Sequence, residues 1–207
     1  SRAGESYEYT NKNMFTIYYF FTFILGLCLG SFINALVYRL YEELPFVKAR
    51  SLCPKCKKQL KWFDNIPLIS FMALGGKCRY CHEKISWQYP LMEFFTGVAF
   101  TLVGYNYFVL SDTSTWLQTF YYLGIMSFLI VIFIYDFLYL EIPDIVLWPA
   151  VAWAIAFNLY FDLNKVNIGN DVLNSSLFSG ALAASLAFAF FFSLSVLSKE
   201  KWMGMGD

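Results

Sequence analysis

Five stretches of this chain contain no Asp, Glu, Lys or Arg and are long enough to cross a lipid bilayer as helices. They cover residues 14–38, 94–111, 113–135, 145–161 and 172–198. A span needs about 20 mostly apolar residues to cross roughly 30 Å of hydrocarbon. Charged residues make up 14% of the chain, against about 25% in a typical soluble domain. The sequence therefore predicts an all-α polytopic membrane protein with about five transmembrane helices, and it excludes a soluble globule.

The basic residues are distributed unevenly among the loops between these stretches. Ten of the fifteen Lys and Arg residues lie between the first and second stretches, from Arg39 to Lys84. Because cytosolic loops carry an excess of Lys and Arg, we predict that this loop is cytosolic, together with residues 136–144 and the C-terminal end. Acidic residues also number fifteen, and this balance gives no support to nucleic acid as a partner.

Four of the five cysteines form two Cys-x2-Cys pairs within the basic loop. Cys53 pairs with Cys56 and Cys78 with Cys81, and 21 residues separate the two pairs. Two such turns facing each other supply the four thiolates of a structural, zinc-ribbon-like site with no open position for catalysis. Two disulfides or a thiol redox pair are the alternatives, although thiols stay reduced in the cytosol. We interpret the adjacent His82 as a solvated neighbour of this site.

Two aspartates lie near the predicted cytosolic ends of membrane spans. Asp136 follows the third stretch directly, and Asp207 closes the sequence GMGD. Ionisable residues at such positions indicate function, and two neighbouring carboxylates can share a proton and activate a water against a peptide carbonyl. Either aspartate alone is more typical of a helix cap or a solvated helix end than of a catalytic group. We interpret Asp144, which follows Pro143, as a cap at the start of the fourth span.

Four motifs follow one another along the chain: GSFINALVYRL at 30–40, the cysteine loop and the run after it at 53–97, YDFLYLEIPD at 135–144, and GMGD at 204–207. In this order they resemble the motifs of the type IV prepilin leader peptidases, which are GxGD membrane aspartic proteases. The resemblance covers about residues 14–207 and implies that Asp136 and Asp207 are the catalytic pair. It also implies cleavage of the leader from prepilins or pseudopilins after a glycine. The intact cysteine loop implies N-methylation of the new terminus with S-adenosylmethionine, although the resemblance assigns no residues to the methyl donor.

The sequence divides into four parts: a polar N-terminal tail (1–13), transmembrane helix 1 (14–40), a cytosolic zinc-binding cysteine loop (41–90) and a transmembrane core (91–207). The resemblance implies that the core is the peptidase and that the protein lies in the bacterial cytoplasmic (inner) membrane. Members of the family continue past the GxGD motif through further hydrophobic helices. This chain stops at Asp207, and we therefore expect it to be truncated after that motif.

Two other functions fit parts of the sequence. A membrane thiol oxidoreductase would use the two Cys-x2-Cys pairs, but it requires an extracytoplasmic loop, against which the ten basic residues argue. A non-enzymatic membrane scaffold would use the zinc loop for docking. The scaffold would tolerate replacement of Asp136 and Asp207, so these two residues discriminate between it and the peptidase.

Overall fold

The computed structural model describes residues 2–45, 51–107, 113–165 and 175–198. Helices account for most of them. They are α1 (Arg2–Tyr41), α2 (Ile69–Ala73), α3 (Gln88–Tyr107), α4 (Thr113–Tyr139), α5 (Asp144–Lys165) and α6 (Ser176–Ser198), with a 3-10 turn at Trp62–Asn65. The described residues contain no β-strand, only two isolated antiparallel bridges within the cysteine loop. The predicted all-α fold is confirmed.

Four of the helices are long and apolar enough to cross a membrane. These candidate spans are Met14–Tyr41, Thr115–Tyr139, Asp144–Asn164 and Ser176–Leu197, and they correspond to the first, third, fourth and fifth predicted stretches. The second stretch falls on α3, which is a helix but is not among the four. Polar residues such as Thr96, Thr101 and Asn106 interrupt its apolar run, and residues 108–111 of that stretch lie outside the described part of the chain.

The chain divides into two compact units, residues 1–150 and 151–207. In the first unit, α1 and α3 approach each other at glycines. A Cβ atom added at Gly26 would lie 2.7 Å from the Gly97 Cα atom, and one added at Gly30 would lie 2.8 Å from the Glu93 Cα atom. Small residues four apart on one helix permit this backbone contact within membranes. The contact between α1 and α3 fixes the two ends of the cysteine loop, which joins these helices.

The helix α4 packs on α1 at the end where Asp136 lies. Buried apolar side chains form the core of this contact, namely Ile33 and Val37 of α1, Val131, Ile134 and Tyr135 of α4, and Val146 of α5. The rings of Tyr41 and Tyr139 stack nearby, with 3.8 Å between their centroids. These contacts hold the last turn of α4 against the last turns of α1.

In the second unit, a carboxylate caps the start of α6. The two oxygens of Asp162 accept the N–H groups of Ser176 at 2.8 Å and Leu177 at 2.9 Å. The first N–H groups of a helix have no partner within the helix, so an acceptor at this position stabilises the helix start. The apolar side chains that follow on α6 are largely exposed, as expected of a surface that contacts lipid.

Candidate functional site

The two Cys-x2-Cys turns repeat one backbone geometry. In each turn, the N–H of the first cysteine donates to the carbonyl oxygen five residues later: Cys53 to Lys58 at 2.9 Å, and Cys78 to Glu83 at 2.8 Å. The residue after the second cysteine has a left-handed φ in both turns, 55° at Lys57 and 57° at His82. His82 is exposed and serves as a turn residue beside the cysteines, in agreement with its interpretation from the sequence.

The four sulfur atoms of these turns form one cluster. All four Sγ atoms lie within 4.8 Å of one another, and those of Cys53 and Cys81 are 3.9 Å apart. In a tetrahedral site with metal–sulfur bonds of about 2.3 Å, the sulfurs lie about 3.8 Å apart. The cysteines are free thiols, so the alternative of two disulfides does not fit this structure. The structure thus brings together Cys53, Cys56, Cys78 and Cys81, which can hold one metal ion.

The second turn stabilises the thiolate form of Cys78. Hydrogen bonds from the backbone N–H groups of Cys81 and Tyr80 lower the pKa of the Cys78 thiol to about 7. The thiolate is the form of cysteine that binds metal ions. The local backbone therefore favours metal binding by this cysteine near neutral pH.

An ion pair links the second turn to the segment between the two turns. The Arg79 guanidinium donates to Asp64 Oδ1 at 2.8 and 2.9 Å, and it lies over the Phe63 ring at 4.9 Å from the centroid. The Asp64 side chain is almost fully buried, and its second oxygen accepts the Lys61 N–H at 3.1 Å. A buried carboxylate needs such partners, so this pair fixes the inner part of the loop.

Further hydrogen bonds attach the loop to the ends of α1 and α3. Lys57 Nζ donates to the Tyr38 hydroxyl at 3.1 Å, and the Leu68 N–H donates to Glu93 Oε2 at 2.8 Å. Leu68 has a left-handed φ of 59°, a strained conformation for a residue with a bulky side chain. The Glu93 carboxylate therefore holds a strained turn of the loop against α3.

A cavity of about 600 Å³ lies between the loop, α1 and α3. Its polar lining from the two helices includes Ser31, Asn34, Tyr38, Arg39, Tyr89 and Glu93. Asn34 is 5% exposed and its Nδ2 donates to the Tyr89 carbonyl oxygen at 3.2 Å. Its Oδ1 has no hydrogen-bond partner among the described residues. This cavity was not predicted from the sequence, although the spacing of Ser31, Asn34 and Tyr38 in the first motif places them on one helix face.

The described residues include one of the two predicted catalytic aspartates. Asp136 is exposed in the last turn of α4, next to the buried Tyr135. The Leu140 N–H donates to the Asp136 carbonyl oxygen at 2.8 Å, and Leu140 has a left-handed φ of 56°, which ends the helix in an αL cap. Asp207 lies outside the described residues, so the predicted pairing of Asp136 with Asp207 stays a prediction.

Asp144 is the first residue of α5. The Pro143 carbonyl oxygen accepts the N–H groups of Val146 at 2.9 Å and Leu147 at 3.1 Å, so Pro143 holds the cap position. The Asp144 carboxylate lies one residue further into the helix, in the first turn, where a negative charge is favourable. The interpretation of Asp144 as the cap is therefore wrong by one residue, although Asp144 does lie at the start of the fourth predicted stretch.

The chain is similar to bacterial prepilin leader peptidases over most of its length. The model of the bacterial peptidase A24 N-terminal domain matches residues 24–107. The prepilin leader peptidase/N-methyltransferase of Vibrio cholerae is 31% identical over 192 residues, covering 89% of this chain and 71% of that relative. The protein of the same name from Neisseria gonorrhoeae is 33% identical over 160 residues, covering 66% of this chain and 54% of the relative.

A third relative carries a different name. The type 4 prepilin-like proteins leader peptide-processing enzyme of Escherichia coli is 33% identical over 156 residues, covering 62% of this chain and 55% of the relative. The chain thus spans about half the length of two of these relatives and 71% of the other. No solved structure matches it. The similarity to the Vibrio cholerae protein extends from the cysteine loop into the remaining helices, and the chain therefore belongs to the prepilin leader peptidase/N-methyltransferase family.

Proposed function

We propose that this protein is a membrane aspartic endopeptidase that removes the leader peptide from type IV prepilins or pseudopilins and then N-methylates the new N-terminus. The observation that carries this proposal is the 31% identity over 89% of the chain to a relative named for both activities. Substrates of this kind would connect the protein to type IV pilus assembly or type II secretion.

The proposed peptidase uses Asp136 and Asp207. One carboxylate takes a proton from the attacking water, and the other, in its protonated form, donates to the leaving amine. The exposure of Asp136 at the end of a membrane-spanning helix supports this role, because both water and a peptide can reach it there. The GMGD motif supports the choice of Asp207.

We place the cysteine loop and both aspartates on the cytosolic side of the bacterial inner membrane. The ten basic residues between the first and second predicted stretches support this orientation. The same orientation argues against the oxidoreductase alternative. Labelling with a membrane-impermeant thiol reagent in intact cells tests it, since labelling of Cys81, which is exposed, from outside would place the loop on the wrong side.

We assign the metal of the cysteine cluster as a structural zinc ion. Cys53→Ser and Cys78→Ser should lower the zinc content and loosen the loop, because the binding energy of a structural zinc ion is also folding energy. Elemental analysis of purified protein checks this, and Cys28→Ser, which changes the cysteine outside the cluster, should retain the metal. Less than about half a zinc ion per metal-replete wild-type chain would contradict the assignment.

The methyl donor of the proposed transfer is S-adenosylmethionine, which supplies a methyl group bonded to a positively charged sulfur. We expect variants of the cysteine loop to lose methylation more readily than cleavage, because the loop contacts α1 and α3 at a cavity rather than at Asp136. Cleavage and methylation measured side by side across several loop variants test this. A parallel decline of the two activities would show that they are not separable in this way.

Incubating the full-length protein with a prepilin in detergent tests the whole proposal. The mass of the product reports the loss of the leader and the gain of a methyl group in one measurement. Cleavage without methylation would leave only the peptidase. A substrate that keeps its leader would favour the scaffold alternative.

A further inference from the structure

Large apolar side chains are exposed on the side of the cysteine loop formed by the 3-10 turn and α2. Trp62, Ile69, Met72 and Trp87, which we call the apolar rim of the loop, are between 63% and 79% exposed. Ile69 and Met72 are three residues apart on one face of α2, and the 3-10 turn that holds Trp62 contacts α2. The Phe71 ring of α2 contacts the Trp87 ring, with 4.9 Å between the centroids. A grouped apolar surface of this kind indicates contact with a partner or a membrane.

The contact between α1 and α3 indicates where the hydrocarbon ends on this side of the membrane. Glu93 is the last charged residue before the uncharged stretch that begins at Phe94. A Cβ atom added at Gly30 would lie 2.8 Å from the Glu93 Cα atom. Residues 14–30 of α1 have a helical length of about 25 Å, close to the roughly 30 Å of hydrocarbon. Because a carboxylate is costly within hydrocarbon, its boundary lies near the level of Gly30 and Glu93.

Two hydrogen bonds attach the segment that carries the apolar rim at this level. Leu68, which precedes Ile69, donates its N–H to Glu93 Oε2 at 2.8 Å. At the other end of the segment, the Asn65 carbonyl oxygen accepts the Ser31 hydroxyl at 3.5 Å, and Ser31 lies one residue along α1 from the boundary. The 3-10 turn and α2 are therefore attached to α1 and α3 where these two helices leave the hydrocarbon.

The first cysteine turn lies further from the hydrocarbon. Lys57 Nζ donates to the Tyr38 hydroxyl at 3.1 Å, and Tyr38 lies about 12 Å along α1 from Gly30. The neighbouring Lys55 and Lys58 are exposed. The loop therefore has an apolar side at the level of the boundary and a basic side in water.

The charge of the loop fits an anionic surface. Residues 51–87 contain seven Lys and Arg residues and two acidic residues. Basic segments beside a membrane are attracted to anionic headgroups. Tryptophan favours the interfacial layer, because its ring is apolar and its indole N–H is polar. A bilayer surface thus matches both the charge of the loop and the composition of its apolar rim.

We propose that the apolar rim lies in the headgroup layer of the protein's own membrane and anchors the cysteine loop to that surface. Lipid, rather than a second protein, then covers the four side chains. Phe94 and Phe95, which follow Glu93 on α3 and are exposed, continue the same surface into the hydrocarbon. The anchor fixes the height of the loop above the bilayer, and it does not depend on the proposed enzymatic reactions.

The same boundary has a consequence for Asp136. Its neighbour Tyr135 packs with Ile33 and Val37 of α1, which lie about 5–10 Å beyond Gly30 along the helix. Asp136 is therefore on the aqueous side of the boundary, where its charge is not costly.

Fluorine NMR of the full-length, zinc-loaded protein tests the proposal in nanodiscs of phosphatidylcholine and phosphatidylglycerol. The tryptophans are replaced by 5-fluorotryptophan, and Trp62→Phe and Trp87→Phe assign the two resonances of the apolar rim. A nitroxide attached to the lipid headgroup should broaden both resonances more than a water-soluble gadolinium chelate does. Stronger broadening by the chelate would overturn the proposal, because the rim would then be exposed to water and available to a protein partner.

Met72→Glu places a carboxylate in the apolar rim, where apolar surroundings and phosphatidylglycerol both disfavour it. The resonance of Trp87, which lies beside α2, should then lose most of its broadening by the headgroup nitroxide. Lys55→Glu, the matched control, places a carboxylate on the exposed first cysteine turn and should leave this broadening unchanged.

The zinc content of each variant reports whether its loop is folded. Wild-type broadening of Trp87 in folded Met72→Glu would contradict the anchor. If the loop of Met72→Glu does not fold, the comparison of nitroxide and chelate on the wild-type protein decides the matter.

Discussion

Asp136→Asn in the full-length protein is expected to lower kcat for leader cleavage by at least about a thousandfold. The substitution removes the group that exchanges a proton with the attacking water or the leaving amine, and it removes the negative charge of the pair. Asn is nearly the same size, and Asp136 is exposed, so the fold and the zinc content should be retained. The same result is expected for Asp207→Asn, with kcat measured on a purified prepilin.

Asp144→Asn is the matched control for these variants. Asp144 lies in the first turn of α5, where its charge stabilises the helix start. Its replacement should reduce stability modestly and leave kcat near the wild-type value. If Asp136→Asn cleaves at a near wild-type rate while Asp144→Asn is inactive, the catalytic carboxylate has been wrongly assigned.

Gly26→Ala should destabilise the protein by about 1–3 kcal/mol or more. The added Cβ atom would lie 2.7 Å from both the Gly97 Cα atom and the Thr96 carbonyl oxygen. Both are backbone atoms, which cannot move aside as a flexible side chain can, so α1 and α3 would have to separate. Denaturant unfolding in mixed micelles, followed by intrinsic fluorescence, measures the change in the free energy of unfolding.

The same substitution at Gly180 provides the control. Gly180 lies within α6, and a Cβ atom added there meets nothing within 4 Å. Gly180→Ala should therefore be neutral or stabilise the helix by up to about 1 kcal/mol. Equal unfolding free energies for the two variants would mean that α1 and α3 do not approach each other as closely as the structure shows.

The features that the sequence predicts well are those that depend on local composition. An uncharged apolar run long enough for the bilayer has few options other than a helix, and α1, α4, α5 and α6 follow four such runs. Each half of the cysteine cluster is similarly local, because each Cys-x2-Cys turn fixes its own pair of sulfurs. The prediction for α3 as a span rests on residues 94–111, part of which lies outside the described chain.

The features that the sequence does not predict depend on how distant segments meet. The unpaired oxygen of Asn34, the bond between Glu93 and Leu68, and the cavity beside them all depend on the register of α1 against α3. That register is set by the backbone contact at Gly26 and Gly30. The spacing of these two glycines was visible in the sequence, but no local rule identifies the helix on which they pack.

The backbone contact between α1 and α3 has a consequence for the order in which the loop becomes structured. The contact between α1 and α3 closes a segment of about 46 residues. It offsets the conformational entropy that this segment loses when its ends are brought together. A metal ion bound by the four cysteines would then have to close only the 21 residues between the two turns, within an outer segment already anchored at Glu93. The meeting of the two cysteine turns lies inside the segment closed by α1 and α3 and is the less stable of the two closures. Loss of a bound metal ion should therefore unfold the two turns locally. Amide hydrogen exchange of the metal-depleted protein would then increase in the two turns while α1 and α3 stay protected.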